Sequence, residues 1–238
     1  KAAKELFPNC KIILRRPISK GFFCCMDKGN GLMLTSEDVD AISLKMREIV
    51  DMDIPFRRHE AQVSEAIKMF KKLGQEDKVK LLETCGEVYI NYYTLDDTTD
   101  YYYDALVPST GYLKVWSLST YHGGMLLRVP DRHEPLKLAP FYEQPKTFDV
   151  FTETVNWNRI MGLSNVGDVN EACLNGRASE LIQVAEALQE KKIVQIAEEI
   201  DKRYNSSSPV RIVLITGPTS SGKSTFCRRL SVQLKAYK

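Results

Sequence analysis

No stretch of this 238-residue chain approaches the ~18 consecutive apolar residues of a membrane-spanning helix, so no helical membrane span is legible. Histidine is scarce. His59, His122 and His133 are the whole complement, and none stands at ligand spacing from another or from a cysteine, so no zinc site can be read. The six cysteines, at 10, 24, 25, 85, 173 and 227, include no C-x-x-C pair. They read as reduced core or surface thiols of a cytoplasmic protein, with Cys24 and Cys25 facing opposite sides of a strand-like run. No arm or face is strongly basic: 33 Lys and Arg stand against 31 Asp and Glu, a net charge of +2. RNA stays open as a partner but gains no support from charge. No secretory signal and no internal repeat is legible. What is there is a chain with 43% hydrophobic and 27% charged residues, which predicts a packed core in one or two domains.

Periodicity orders the chain. Ala2 to Leu6 reads as a helix end, and Lys11 to Arg15 and Lys20 to Met26 read as strands. Thr35-Ser36-Glu37-Asp38 has the form of a capping box. It opens a helix whose apolar stripe is Val39, Ile42, Met46 and Ile49/Val50. Ile54 to His59 reads as extended, and a short helix runs from Ser64 until Gly74 stops it. Lys78 to Leu82 is a further helix. Glu87 to Thr94, Tyr112 to Leu118 and Met125 to Val129 read as strands, with a Gly123-Gly124 turn before the last. From Phe148 the period turns helical, and Ala178 to Ile200 makes one or two amphipathic helices. The polar, Pro-terminated segment Tyr204 to Pro209 marks a junction. The expected organisation is α+β: a domain over 1–145, a helical connector over 146–204, and the start of a further α/β domain over 205–238.

That last piece carries the sharpest motif. The apolar run Val210 to Thr216, read as a strand, leads directly into Gly217-Pro218-Thr219-Ser220-Ser221-Gly222-Lys223-Ser224, the form G-x-x-x-x-G-K-[ST]. In strand–loop–helix context this is a phosphate-binding loop. Glycines at 217 and 222 let successive backbone N–H groups turn inward toward phosphate oxygens. The helix opening near Gly222, with Thr225 in its first turn, adds unpaired N–H groups and the positive end of its dipole. Lys223 would reach the β and γ phosphates, and the Ser224 hydroxyl would ligate Mg²⁺. ATP with Mg²⁺ is therefore the expected cofactor. About 15 residues follow Lys223, room for one helix. This spacing, and a start at Lys1, lead to the expectation of a piece of a longer protein.

Two resemblances rest on named segments. KAAKELFP (Lys1 to Pro8), GFF (Gly21 to Phe23), TSEDVDAISLKMREIV (Thr35 to Val50), RRHEAQVSEAIKMFKKLGQEDKVKLLE (Arg57 to Glu83) and VPSTG (Val107 to Gly111) occur in one order. That order resembles the second additional domain of threonyl- and alanyl-tRNA synthetases, which hydrolyses mischarged tRNA, over roughly the first 125 to 130 residues. Its joining to GPTSSGKSTF is similar to a bacterial family of uridine kinase-like proteins of the phosphoribulokinase/uridine kinase group. The connector segments Trp157 to Ala172 and Glu186 to Ile200 share that likeness. The resemblance implies a parent protein that transfers the γ-phosphoryl of ATP to the 5′-hydroxyl of uridine or cytidine. The activating carboxylate and the nucleoside pocket are then expected beyond Lys238. The alternative is a nucleotide- or RNA-sensing module with a degenerate editing domain, and a third reading is a hydrolase of aminoacyl esters.

One departure is informative. The editing families place a Cys-x-x-x-His pair just before VPSTG, where this chain has Tyr102 and Leu106. A tyrosine and a leucine do not replace a thiolate and an imidazole as metal ligands or proton carriers. The expectation is a domain without zinc-dependent deacylation. The remaining candidates have blander readings. Asp96, Asp97, Asp100 and Asp104 read as a solvated hairpin end rather than a cation site. Tyr92, Tyr93 and Tyr101 to Tyr103 read as half-buried strand residues rather than a base-stacking platform. Arg228 and Arg229 read as helix-surface arginines.

Overall fold

The capping box at Thr35 forms as its spacing requires. Thr35 Oγ1 accepts the Asp38 N–H and the Asp38 carboxylate accepts the Thr35 N–H at 2.9 Å. It starts helix α2 (Ser36–Asp51), which buries Val39, Ile42 and Ile49 on one stripe. The computed structural model describes residues 1–29 and 31–237, and within them the chain divides into two compact units, Lys1–Glu171 and Ala172–Lys238. The division falls inside the stretch 146–204 read as a connector.

The first unit holds two antiparallel sheets. One has the order β1-β2-β7-β6, from β1 (Lys11–Ile18), β2 (Gly21–Asp27), β6 (Ser117–Tyr121) and β7 (Gly124–Arg128). The other has the order β3-β4-β5, from β3 (Arg57–Gln62), β4 (Tyr89–Leu95) and β5 (Thr98–Tyr101). The first sheet is covered on both faces. Cys24, Met26, Met125, Leu118 and Leu127 pack with α2 and with α1 (Ala2–Leu6) in one cluster. Ile18, Phe23, Tyr121 and Leu126 pack on the other face with Phe148 and Phe151 of α5 (Pro145–Ile160). Alternation along β2 thus sends Cys24 into the α2 core and leaves Cys25 half-buried toward the other side.

The second sheet is closed by α3 (Val63–Lys72) and α4 (Glu76–Thr84). Phe70, fully buried, sits among Ala66, Val79, Leu82 and Ile90. The α3–α4 turn uses Gly74 at φ +66°, a conformation a Cβ would resist. Lys1 clamps the β4–β5 hairpin end through Asp96 at 3.2 Å and Asp97 at 2.6 Å, and Asp100 pairs with Lys78, so three of the four aspartates are tied to lysines. A short α6 (Val166–Leu174) follows; its Asp168 takes the N–H groups of Ser164 and Asn165 and pairs with Lys80 at 3.1 Å.

The second unit is built on α7 (Ala178–Tyr204), a single 27-residue helix where one or two were open. It packs against α8 (Lys223–Lys235): Ile193 and Ala197 meet Leu230, with Ile196, Ile200, Phe226 and Leu234 around them. Glu190 latches the pair, accepting from Arg229 Nε at 2.9 Å and Gln233 Nε2 at 2.6 Å.

Two expectations are corrected here. The segment Tyr112 to Leu118 is not one strand. Thr110–Tyr112 forms a 3₁₀ turn, and β6 begins only at Ser117. The run Val210 to Thr216 has no strand pairing among the described residues, and Ile212 and Leu214 are 77% and 87% exposed. A strand is held by ladder hydrogen bonds to a neighbour, and this run has none there. The first β-loop-α of a kinase domain is therefore not formed as a β-loop-α.

Candidate functional site

In the first unit the segment VPSTG behaves as a zipper. Phe56 N–H donates to the Pro108 carbonyl and Thr110 N–H to the Ile54 carbonyl, each at 2.9 Å. The Thr110 hydroxyl, 1% exposed, donates to the Ile49 carbonyl at 2.7 Å and accepts the Ile54 N–H at 2.9 Å. It satisfies a carbonyl of the last turn of α2, one that no helical N–H reaches. Asp53 takes the Ser109 hydroxyl and the Gly111 N–H, and a Cβ on Gly111 would collide with its carboxylate. The motif's residues are thus structural pins that fix the end of α2 against the strand entering β3.

Those pins shape a cleft of about 750 Å³ lined by Arg47, Asp51, Asp53, Tyr112, Lys114 and Trp116. The Arg47 guanidinium lies 4.8 Å from the centre of the Trp116 ring. The cleft therefore offers two cations, two carboxylates and two aromatic rings. None of these residues stands out in the sequence, because they come from the end of a helix and from the segment after a turn.

Tyr102 and Leu106, at the positions of the editing pair, lie just before this zipper. Leu106 N–H donates to the Tyr93 hydroxyl at 3.3 Å, and the Tyr102 ring meets the Tyr93 ring edge-on at 6.2 Å. Desolvation raises the Tyr102 hydroxyl above its ordinary pKa, with the Asp100 charge adding to the rise. The group is held as a neutral phenol at neutral pH, which removes it further from general-base work. The three histidines are dispersed. His59 stacks on Tyr92 and bonds Thr94 Oγ1 at 2.9 Å; His122 sits in the β6–β7 turn; the His133 backbone N–H donates to the Asp131 carboxylate at 2.8 Å. Of the tyrosines, Tyr93 is buried while Tyr102 and Tyr103 are exposed.

In the second unit the residues Gly217 to Thr225 come together as one loop and helix start. Pro218 to Gly222 are turn and bend, Ser220 and Gly222 have φ of 60° and 78°, and α8 begins at Lys223. A Cβ on Gly217 would lie 2.9 Å from Ser221 Oγ. Lys223 Nζ donates back to the carbonyls of Gly217 at 3.0 Å and Pro218 at 2.6 Å. Ser224 and Arg228 line an open groove beside Lys223, with Val213 and Ile215 opposite. Arg229 instead points to Glu190, so of the two arginines only Arg228 faces the groove.

No protein-family model matches the chain. Among curated proteins it is similar to threonine--tRNA ligases. It is 33% identical to that of Geobacter sp. (strain M21) over 122 residues, 51% of this chain and 19% of the relative. It is 39% identical to that of Laribacter hongkongensis over 119 residues, 49% of this chain and 18% of the relative. The figure for Marinobacter nauticus is 34% over 123 residues, 51% of this chain and 19% of the relative. The chain thus spans about a fifth of the length of the curated relatives it matches. About half of the chain carries the similarity to threonine--tRNA ligases. Two antiparallel sheets with covering helices fit that α+β class.

The same finding overturns the uridine or cytidine kinase. The relatives are named as threonine--tRNA ligases and not as nucleoside kinases. The physical reason for the error is plain: a phosphate-binding loop specifies phosphates, and nothing in Gly217 to Ser224 chooses an acceptor hydroxyl. Among the described residues no helix is long and apolar enough to cross a membrane.

Proposed function

We propose that the first unit is a synthetase-related module that binds the aminoacylated end of a tRNA without hydrolysing it. The observation that carries this reading is the similarity to threonine--tRNA ligases over half of the chain. The chemistry around VPSTG supports the restriction to binding. Tyr102 is a phenol with a raised pKa and Leu106 has no proton-carrying group, so the two positions supply neither a metal ligand pair nor a base. The cleft at the VPSTG segment supplies recognition groups. Asp51 suits the α-ammonium of an aminoacyl ester, Arg47 and Lys114 suit its flanking phosphates, and exposed Tyr112 offers a ring for a terminal base.

For the second unit, the reading is a nucleoside triphosphate site with Mg²⁺. The loop fits such a group: a Cβ at Gly217 would have to displace the Ser221 hydroxyl, Gly222 takes a left-handed φ, and the first N–H groups of α8 have no intrahelical acceptor. Lys223 would exchange its two loop carbonyls for phosphate oxygens, and the Ser224 hydroxyl would be the protein ligand of the metal.

The test is a pair of assays on one preparation. Gel shift with threonyl-tRNA should give saturable binding that Lys114→Glu weakens, while serine esterified to the threonine acceptor tRNA should be hydrolysed off no faster than without protein. Rapid deacylation would overturn the restriction to binding. Absence of any tRNA shift at low salt would overturn the module itself.

A further inference from the structure

The first sheet has a second site on the face away from α2. Between β1, β2 and α5 lies a pocket of about 260 Å³, lined by Arg15, Arg16, Phe23, His122, Phe148 and Phe151. Two adjacent arginines on one strand would ordinarily point to opposite faces. Here they do not. Leu14 pairs with Cys24 but Pro17 pairs with Phe22, so β1 takes three steps where β2 takes two. The extra residue falls at Arg15-Arg16, and the bulge re-aims both side chains into one cavity.

The walls are aromatic. His122, at φ 43° in the β6–β7 turn, stacks on Phe148 with ring centres 4.2 Å apart and planes at 24°. Phe23 meets Phe148 edge-on at 5.1 Å, and the Arg16 guanidinium lies 5.4 Å from the Phe151 ring centre. Tyr121, whose ring meets those of Phe23, His122 and Phe148, is buried with no partner for its hydroxyl. Neither Arg15 nor Arg16 forms an ion pair or hydrogen bond among the described residues. Two unpaired cations therefore stand at the mouth of an apolar, aromatic hollow.

We propose that this pocket binds one nucleotide unit, its base against the aromatic walls and its phosphate on Arg15 and Arg16. The combination selects that chemistry. An inorganic anion would leave the rings unused, and an acyl chain would leave both guanidiniums without a partner. An acidic peptide needs an extended groove, whereas about 260 Å³ lies just under the range of ~300–1,000 Å³ for small-molecule sites. Ring stacking tolerates every base, so selectivity among bases is not expected. The unit can come as a free mononucleotide or as the terminal nucleotide of a single strand.

The experiment is calorimetric titration of the full chain in a Lys223→Ala background, which silences the loop of the second unit. AMP, adenosine, inorganic phosphate and an RNA trinucleotide are the probes. AMP is expected to bind saturably, with adenosine and phosphate each weaker by about tenfold or more, as loss of a charge-assisted contact implies. Arg15→Gln with Arg16→Gln should weaken AMP by about tenfold and leave adenosine within about twofold; both side chains lie at the pocket rim, and circular dichroism checks that the fold holds. Half-buried Cys25 also lines the pocket. AMP should therefore slow its alkylation, read by peptide mass spectrometry, but not that of exposed Cys173. Tighter binding of the trinucleotide, with AMP displaced, assigns a strand end; binding of AMP alone assigns a free mononucleotide. The proposal fails if no probe binds saturably, if phosphate matches AMP, or if the arginine changes leave AMP affinity unaltered. Sensitivity of AMP to Lys114→Glu instead would place it in the cleft of the tRNA reading, so the two failures are distinguishable.

Discussion

Lys11 to Ile18 and Val210 to Thr216 are two segments of nearly equal length, each with a run of isoleucine, leucine or valine, and they end differently. The first is an edge strand whose middle, Ile12 to Leu14, is exposed, yet it holds an antiparallel ladder with β2 from Lys11↔Asp27 to Ile18↔Gly21. The second is the more apolar of the two and yet is no strand among the described residues. The difference lies in the neighbour. β-Propensity describes how a residue fits a pleated, half-buried surface, not a preference the backbone expresses alone. A hairpin brings β2 to β1 within a few residues through Ser19-Lys20, both at positive φ. Nothing comparable follows Thr216, where the chain turns into the Gly217 loop.

Five changes would break or sharpen that comparison, taken from the largest effect down. Phe70→Ala empties the fully buried centre of the β3-β4-β5 unit and should cost about 3–5 kcal/mol, read as a fall in the urea midpoint. A loss below about 1 kcal/mol would mean that the paired sheets are not what holds this unit.

Next, Thr110→Val keeps shape but strands the Ile49 carbonyl and the Ile54 N–H, both otherwise satisfied by the hydroxyl. The expected cost is about 2–3 kcal/mol in the same denaturation experiment. A neutral result would show that the VPSTG zipper is ornamental to stability.

Thr35→Ala removes the cap of α2 and should cost about 1 kcal/mol. The capping box also carries a pH signature. The Lys28 ammonium at 2.7 Å, with the Thr35 N–H, holds the Asp38 carboxyl below the usual carboxylate range. A depressed folded-state pKa gives stability that is present above the unfolded value, about 3.9, and lost as pH falls through the folded one. The stability gap between the native chain and Lys28→Gln should therefore narrow in acid below about pH 4. A gap that stays constant down to pH 2 would detach Asp38 from the linkage.

Smallest of all, Leu214→Asp should change stability by less than about 0.5 kcal/mol, because the side chain is 87% exposed on an unpaired run. A large destabilisation would show that the run is paired in solution after all.

How much was legible follows the range of the forces involved. The α2 cap and stripe were readable because a capping box closes over three residues and an amphipathic face repeats every turn. The glycine stop at Gly74 and the start of α8 after Gly222 were readable for the same reason. The cleft of Arg47, Asp51, Lys114 and Trp116 was not, since its halves lie more than sixty positions apart and meet only when VPSTG pins α2. Nor was the Arg15-Arg16 pocket, which needs a bulge that only the partner strand reveals. Tyr102 and Leu106 were legible as a departure from a motif, while the bond from Leu106 N–H to Tyr93 was not.

By itself, then, the sequence determined the helix caps, apolar stripes and glycine stops, the G-x-x-x-x-G-K-[ST] spacing at Gly217 to Ser224 and a synthetase-like order of motifs. Backbone conformation and short-range hydrogen bonding depend on neighbours in the chain. The tertiary structure alone decided which apolar run became a strand, which carboxylates met lysines, and which charged and aromatic side chains share a cavity. Those outcomes rest on contacts between residues distant in sequence, whose loop-closure cost is met only when many of them form together.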